Sequence, residues 1–213
     1  MMIILSGIVG STAYGLNNEN SDIDTLGVFV NPTKSYWSLD KPPETKTQSK
    51  PDCCYHEIEK FLRLCLGCNP TVMELLWLES YEIVHPIHGE RLINLRKKFL
   101  YTERVASAYG GYAISQIKKL RTSNSWKKFK HARHCFRLLR QGKELLTTGE
   151  LTLKVKNSDE YKIFESMPID QIEDLFAREY AEFRAARSVL PDKPEITAVN
   201  DYLYKVRSTN LWD

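Results

Sequence analysis

The chain contains no apolar run near the ~20 residues that cross a bilayer, which excludes a helical membrane span within it. The opening Met1-Met2-Ile3-Ile4-Leu5 is too short for a secretion signal and lacks the basic residues that precede one. No glycine-rich loop is followed by Gly-Lys-Ser or Gly-Lys-Thr, so there is no P-loop. Charge of one sign is scarce as well: 30 Lys and Arg stand against 27 Asp and Glu, a net of +3. That balance does not announce a nucleic-acid binder and does not oppose an anionic ligand. There is no internal repeat and no low-complexity tract. The five cysteines (Cys53, Cys54, Cys65, Cys68 and Cys135) include one C-x-x-C, with no second pair at zinc spacing. They read as free thiols of a reducing cytoplasm, with Cys65 and Cys68 buried at the end of an apolar helical pattern. The expectation is a cytoplasmic protein with no membrane contact.

What the chain does have is 213 residues, 42% of them apolar, enough for one large core or two small ones. Met2 to Leu5 is a short β-branched apolar run and reads as a buried strand, broken by Gly7 and Gly10. A short helix follows, with Ser11 near its start. Asp22 to Val30 reads as a second strand. The stretch from Asn31 to Pro51 is polar and proline-containing and reads as a loop, and Asp52 to Tyr55 as a third, short strand. From His56 onward a 3.6-residue period takes over. Ile58, Phe61, Leu62 and Cys65 share one face, and Asn69-Pro70 opens a new helix with proline at its favoured first position. Further helices fit 89–99, 101–121, 126–148, 159–165, 169–190 and 195–204. The fold class expected is α+β: a small mixed β-sheet head over residues 1–85, followed by a mainly helical part over 86–213.

The stretch Gly7 to Val30, GIVGSTAYGLNNENSDIDTLGVFV, carries the chemistry. Residues i and i+2 of a strand point to the same face, about 6–7 Å apart. Asp22 and Asp24 therefore project together. Two carboxylates on one face repel and resist desolvation unless a cation sits between them. A hard divalent ion takes such oxygens and shares them with substrate phosphates. Eleven residues upstream of Asp22, Ser11 follows Gly10 after a strand. Glycine there allows close approach of a ligand to backbone, and the following helix start offers N–H groups to phosphate. A phosphate cradle beside a metal-binding pair is what phosphoryl or nucleotidyl transfer requires.

These residues resemble the signature of the DNA polymerase β nucleotidyltransferase superfamily: Gly-Ser, about ten residues, then Asp-x-Asp. More narrowly they are similar to the RNA-repair-pathway, or RNA-ligase-associated, branch of predicted nucleotidyltransferases. Gly10, Ser11, Tyr14, Gly15, Ser21, Asp22, Asp24, Gly27 and Val28 match that branch. The stretches KFLRLCLGCNPTVMELLWL and KHARHCFRLLRQGKELLTTGEL look like it too, so the resemblance spans roughly Ile4 to Leu151. It implies a nucleotidyltransferase head with a third carboxylate on a later, adjacent strand. Asp52 is the best match, and Glu57 and Glu59 compete. The implied chemistry uses two Mg²⁺ or Mn²⁺ ions. Asp22 and Asp24 would hold both; Asp52 would hold the catalytic one and help activate an acceptor hydroxyl. Gly10, Ser11, Tyr14 and Ser21 are the expected nucleotide-binding residues of the head. The implied substrate is an NTP, ATP among the candidates, and the implied acceptor is RNA.

A second basic element lies further on. Over 126–148, Ala132, Cys135, Phe136, Leu139 and Leu146 fall on one helical face, and Lys130, His134, Arg137 and Gln141 on the other, flanked by Lys127 and Arg133. An amphipathic surface helix looks the same. Beside a nucleotide site, Lys130, His134 and Arg137 become candidate ligands of triphosphate or acceptor phosphates. Two other functions share the head motif: nucleotidyl transfer to a small molecule such as an antibiotic hydroxyl, and a catalytically silent, antitoxin-like binding protein. The intact Ser21-Asp22-x-Asp24 argues against silence, because a chain freed from catalysis has no reason to keep a repelling pair. Nothing in the sequence indicates the oligomeric state.

Overall fold

The computed structural model describes residues 1–19, 21–122 and 125–211, with the side chains of 125–127 outside the description. The side chain of Lys127, expected to flank the basic stripe over 126–148, therefore lies outside the description. The chain divides into two compact units, Met1–Phe99 with Pro194–Asp213, and Leu100–Lys193. Residues 1–85 fall in the first unit. The division differs from a single helical part over 86–213, because residues 86–99 and the last helix pack with the sheet.

The first unit is built on a five-stranded mixed sheet: β1 (Met2–Val9), β2 (Asp24–Val30), β3 (Thr45–Ser49), β4 (Asp52–Glu57) and β5 (Ile83–Val84), in the order β3-β4-β2-β1-β5. β1 is antiparallel to β2 and β5, β4 is antiparallel to β3, and β2 and β4 run parallel. β1 is longer than its apolar run suggests. Ser6 and Gly7 stay in the ladder opposite Gly27 and Leu26, so backbone pairing carries the strand past the glycine. β3 falls inside the stretch read as a loop. Its sequence, TKTQS, offers no apolar alternation, and as an edge strand it needs none, since polar and Lys side chains suit an exposed edge. β4 also runs further than expected, through His56 to Glu57, because β2 supplies partners as far as Phe29.

Helices then cover the sheet. After the single turn α1 (Gly10–Ala13) come α2 (Ile58–Leu66), α3 (Pro70–Met73) and α4 (His88–Asn94), with 3₁₀ turns at Thr33–Trp37, Glu74–Trp77 and Arg96–Phe99. α2 starts where Glu57 accepts from the Glu59 N–H at 2.9 Å, and α3 where Asn69 accepts from the Thr71 N–H at 3.1 Å. Ile58, Phe61, Leu62 and Cys65 of α2 are buried as their spacing predicts, each contributing about 1.5–3 kcal/mol.

The second unit is helical: α5 (Thr102–Thr122), α6 (Ser125–Thr148), α7 (Asp159–Lys162) with a 3₁₀ turn at Ile163–Glu165, and α8 (Ile169–Arg184). α8 stops earlier than the expected Leu190. From Ala186 the chain leaves the helix, and the Val189 N–H donates to the Leu146 carbonyl at 2.8 Å instead of continuing it. Gly142 lets α6 approach its neighbours: a Cβ there would stand 2.8 Å from Phe183 Cε2 and from Tyr109 Cβ. The chain returns to the first unit as α9 (Ile196–Thr209). All five cysteines are free thiols, with Cys65, Cys68 and Cys135 buried in the cores. Among the described residues no helix is long and apolar enough to cross a membrane.

Candidate active site

The parallel register of β2 and β4 puts Asp24 opposite Asp52. Both are the first residue of their strand, so the two carboxylates start side by side at one end of the sheet. Register partners on neighbouring strands project to the same face with backbones about 4.8 Å apart, within reach of one ion. Asp52 is exposed and Asp24 half-buried.

β1 ends at this same place. Val9 pairs with Asp24, and the chain then turns through Gly10 at φ +67° into α1. A Cβ on Gly10 would lie 2.5 Å from Asp24 Oδ2. Any other residue would be strained there and would displace that carboxylate. The glycine read as permitting close approach of a ligand is thus the wall against which Asp24 rests. Ser11 lies on α1, a helix of only four residues, and its carbonyl accepts from the Leu16 N–H at 2.9 Å.

Asp22 sits differently from the expectation. β2 begins at Asp24, not at Asp22, because β1 offers no partner beyond Val9. Asp22 is exposed in the loop before the strand, so the same-face spacing of a strand does not govern it. The pairing of carboxylates is across strands, Asp24 with Asp52, rather than along one. Ser21 serves that loop: its hydroxyl donates to Asn18 Oδ1 at 3.2 Å and accepts from the Asn18 N–H at 2.9 Å.

Tyr14 is turned inward. Its ring is 8% exposed and its hydroxyl donates to the carboxylate of Glu74, itself 2% exposed. The residue expected to bind nucleotide instead ties the turn after α1 to the 3₁₀ turn at Glu74–Trp77. From sequence Glu74 reads only as an acid in the first turn of the helix opened by Asn69-Pro70; the signal of its burial is a single charge within the apolar run VMELLWL.

The competitors of Asp52 are engaged elsewhere. Glu57, 1% exposed, accepts from Arg207 Nη1 at 2.7 Å and Nη2 at 2.9 Å. Glu59 pairs with Arg63 and stands 3.5 Å from Arg207 Nη2. Arg207 also lies 4.4 Å over the ring of Tyr36, and the Thr33 N–H donates to the Asn210 carbonyl at 2.8 Å. These contacts clasp α9 onto the head. No spacing rule connects residues 57 and 207, so sequence alone did not show it.

In the second unit the stripe Lys130, His134, Arg137, Gln141 divides. Lys130 is exposed as expected. Arg137 is 2% exposed and Gln141 is buried too, a correction to the solvent-facing stripe. Arg137 Nη1 donates to Gln141 Oε1 at 2.6 Å and Nη2 to His134 Nδ1 at 2.8 Å. A guanidinium cannot accept, so His134 is the tautomer protonated on Nε2. Burial first, then the nearby Arg137, push His134 down to about 3. It is neutral at physiological pH.

A sequence model of the RNA repair pathway DNA polymerase beta family matches residues 1–187. The chain belongs to that family. Membership makes it a nucleotidyltransferase of the polymerase β superfamily. Among solved structures, a nucleotidyltransferase-like protein from Exiguobacterium sibiricum is similar at 12% identity over 98% of this chain and 74% of its own, with a TM-score of 0.34. No curated protein matches the sequence.

The residues at the strand ends suit a hard divalent cation. They are carboxylates only, two of them are in register, and Gly10 keeps the space beside Asp24 clear of side chain. Among the described residues no three His, Cys, Asp or Glu side chains converge as a closed metal cage. An ion held here therefore needs oxygens from elsewhere, as Mg²⁺ does when it shares its shell with substrate phosphates.

Proposed function

We propose that the protein transfers a nucleoside monophosphate from an NTP to a hydroxyl of RNA, dependent on a divalent metal. The observation that carries this reading is the register of Asp24 with Asp52, backed by Gly10. Asp24 and Asp52 would hold Mg²⁺ or Mn²⁺, with the other oxygens coming from the triphosphate; Asp22, exposed in the adjoining loop, stays a candidate that the folded chain does not gather with them. The metal would supply neutralisation of the triphosphate and of the charge that develops on the leaving group.

The remaining work falls to the chain itself. Gly10, having no Cβ, leaves Asp24's carboxylate its place against the turn. Ser11 adds a hydroxyl at the same turn, and Tyr14, anchored on Glu74, holds that turn against the sheet. Asp52, the more exposed carboxylate, would take the acceptor hydroxyl's proton, while Asp24, tucked under Gly10, would orient; their difference in exposure supports that division. RNA as acceptor rests on the family's membership in an RNA repair pathway. Lys130 remains a candidate phosphate ligand; Arg137 and His134 bond to each other and support the helix that carries it.

The test is to incubate the protein with each α-³²P-labelled NTP, Mg²⁺ or Mn²⁺, and RNA. Label is expected on RNA with at least one NTP, and none with Asp24→Asn or Asp52→Asn. Transfer that survives either substitution overturns the site. Transfer to a small hydroxyl compound but never to RNA overturns the acceptor.

A further inference from the structure

From Arg104 to Lys143 the sequence holds eleven Lys and Arg and not one Asp or Glu. The rest of the chain carries nineteen Lys and Arg against twenty-seven Asp and Glu. The near-neutral total thus conceals a strong segregation of charge onto the α5–α6 hairpin.

One flank of the hairpin is neutralised within its own unit. Arg121 pairs with Glu173 at 2.6 Å, Arg140 with Glu179 at 2.9 Å and Glu160 at 3.1 Å, Lys143 with Glu182 at 2.7 Å, and Arg133 with Glu165 at 3.8 Å. All these acids come from α7, α8 and the turn between them. Lys118, Lys119, Lys128 and Lys130 have no such partner: among the described residues none of the four makes an ion pair. Lys118, Lys119 and Lys130 are exposed and Lys128 is half-exposed.

The four lie on the facing ends of α5 and α6, with Lys119 and Lys130 on a shared side. Gln116 Oε1 accepts from His131 Nδ1 at 2.7 Å, and Cys135 Sγ donates to the Ala113 carbonyl at 3.4 Å. These bonds fix the antiparallel register, so Lys119, three residues beyond Gln116, lies level with Lys128, three residues before His131. Lys119 and Lys130 both act electrostatically on His134, which places them on one side of the hairpin. Like charges on one side of a hairpin repel, and among the described residues no carboxylate pairs with them.

We propose that this lysine tip is the surface on which the phosphate backbone of an RNA acceptor docks. The proposal rests on the reading of RNA as acceptor given above. A membrane surface is the other common partner of basic helices, but it requires an apolar face to insert. Here the apolar faces are spent inside the unit: Leu120, Ala132, Cys135 and Phe136 are buried, and among the side chains described no large exposed hydrophobic residue is found from Ala113 to Lys143. A patch of bare ammonium groups without an apolar wedge or a base-reading array suits backbone phosphates, giving affinity without sequence preference.

The test is fluorescence anisotropy of a labelled 20-nucleotide single-stranded RNA with the full chain, without NTP or metal, from 50 to 200 mM salt. Four phosphate contacts predict a slope of log K on log salt of about −3. Replacing the four lysines by glutamine should weaken binding at least about tenfold and flatten the slope toward zero. The pair Lys119→Gln with Lys130→Gln should fall between. Circular dichroism melts keep folding separate from binding. Asp24→Asn, which removes transfer on the reading above, should bind RNA like the parent, so the two proposals fail separately. Unchanged RNA affinity and slope in the four-lysine variant overturn the docking surface. So does binding to phosphatidylserine vesicles that RNA does not compete.

Discussion

The carboxylate end of the sheet and the polar side of α6 were both read by periodicity, and they came out differently. In the sheet, a period of two and a parallel register bring Asp24 and Asp52 together from twenty-eight residues apart. In α6, a period of 3.6 set Lys130, His134, Arg137 and Gln141 on one supposed solvent face, and two of the four are buried. A strand end has one covered side and one open side, so polarity reports exposure well. A helix packed on α5 and also on α8 buries more than half its circumference. A polar side chain can then lie inside wherever another polar group meets it, as Arg137 meets Gln141 and His134.

The largest effect should come at the sheet. Asp24→Asn keeps the shape of the side chain and removes its charge. Loss of a group that organises charge in the transition state costs roughly 10²–10³ in rate. Transfer of labelled nucleotide should fall by at least that much while the thermal melt stays at or above the parent's, since a repulsion with Asp52 is relieved. Loss of folding together with activity would make Asp24 a structural residue and break the contrast.

Second comes Arg137→Met, which keeps much of the volume of the chain but leaves Gln141 Oε1 and His134 Nδ1 without their donor. Buried acceptors stripped of a partner cost about 1–3 kcal/mol each. A loss near 3 kcal/mol in urea unfolding is expected, with the slope against denaturant unchanged. A change under about 0.5 kcal/mol would return Arg137 to the solvent face on which the periodicity had placed it.

What could be read from sequence follows the same line. Gly10 and Asp24 stood out by local rules, the glycine turn and the strand start, whereas Asp52 stood out only through the family resemblance, since its parallel pairing with Asp24 spans 28 residues. β3 was not, because TKTQS has no apolar alternation and becomes a strand only when β4 is beside it. Asp22 was taken into β2 because nothing in the sequence says that β1 stops at Val9. Tyr14 was recognised by its place in a motif, but its partner Glu74 lies sixty residues on, and only tertiary structure joins them. The clasp of Arg207 on Glu57 spans 150 residues and is invisible to any window. The long-range polar pairs were the hidden part, since one partner alone reads as a surface residue.

The third prediction concerns pH. His134 is held down to about 3, mainly by burial and next by Arg137, whereas an unfolded histidine titrates near 6.5. The unfolded chain therefore binds a proton that the folded chain refuses. This contribution to stability is whole above pH 6.5 and is lost as pH falls from there toward 3. Between pH 7 and pH 5 the loss should be on the order of 1–2 kcal/mol. His134→Gln, which retains an acceptor for Arg137, should flatten that part of the curve. His56 and His88, also lowered chiefly by burial, keep their share in the variant. An unchanged pH slope would mean that His134 is solvated, on the open side of α6 with Lys130.

The smallest effect sharpens the comparison most. Lys130 lies seven residues before Arg137 on α6, two turns along, so the two share a stripe in any helical projection. Packing separates them: Lys130 is exposed and, among the described residues, makes no ion pair, whereas Arg137 is sealed in a polar pocket of its own unit. Lys130→Ala removes one ammonium from water and exchanges lysine for a good helix former. It also relieves repulsion from Lys119 and Lys128. Urea unfolding should therefore move by less than about 0.5 kcal/mol, in the stabilising direction at low salt and less so at high salt. A destabilisation comparable to that of Arg137→Met would show that Lys130 has a partner in the folded chain. The stripe would then be one structural unit after all, and the lysine tip would lose one of the charges it offers to an acceptor.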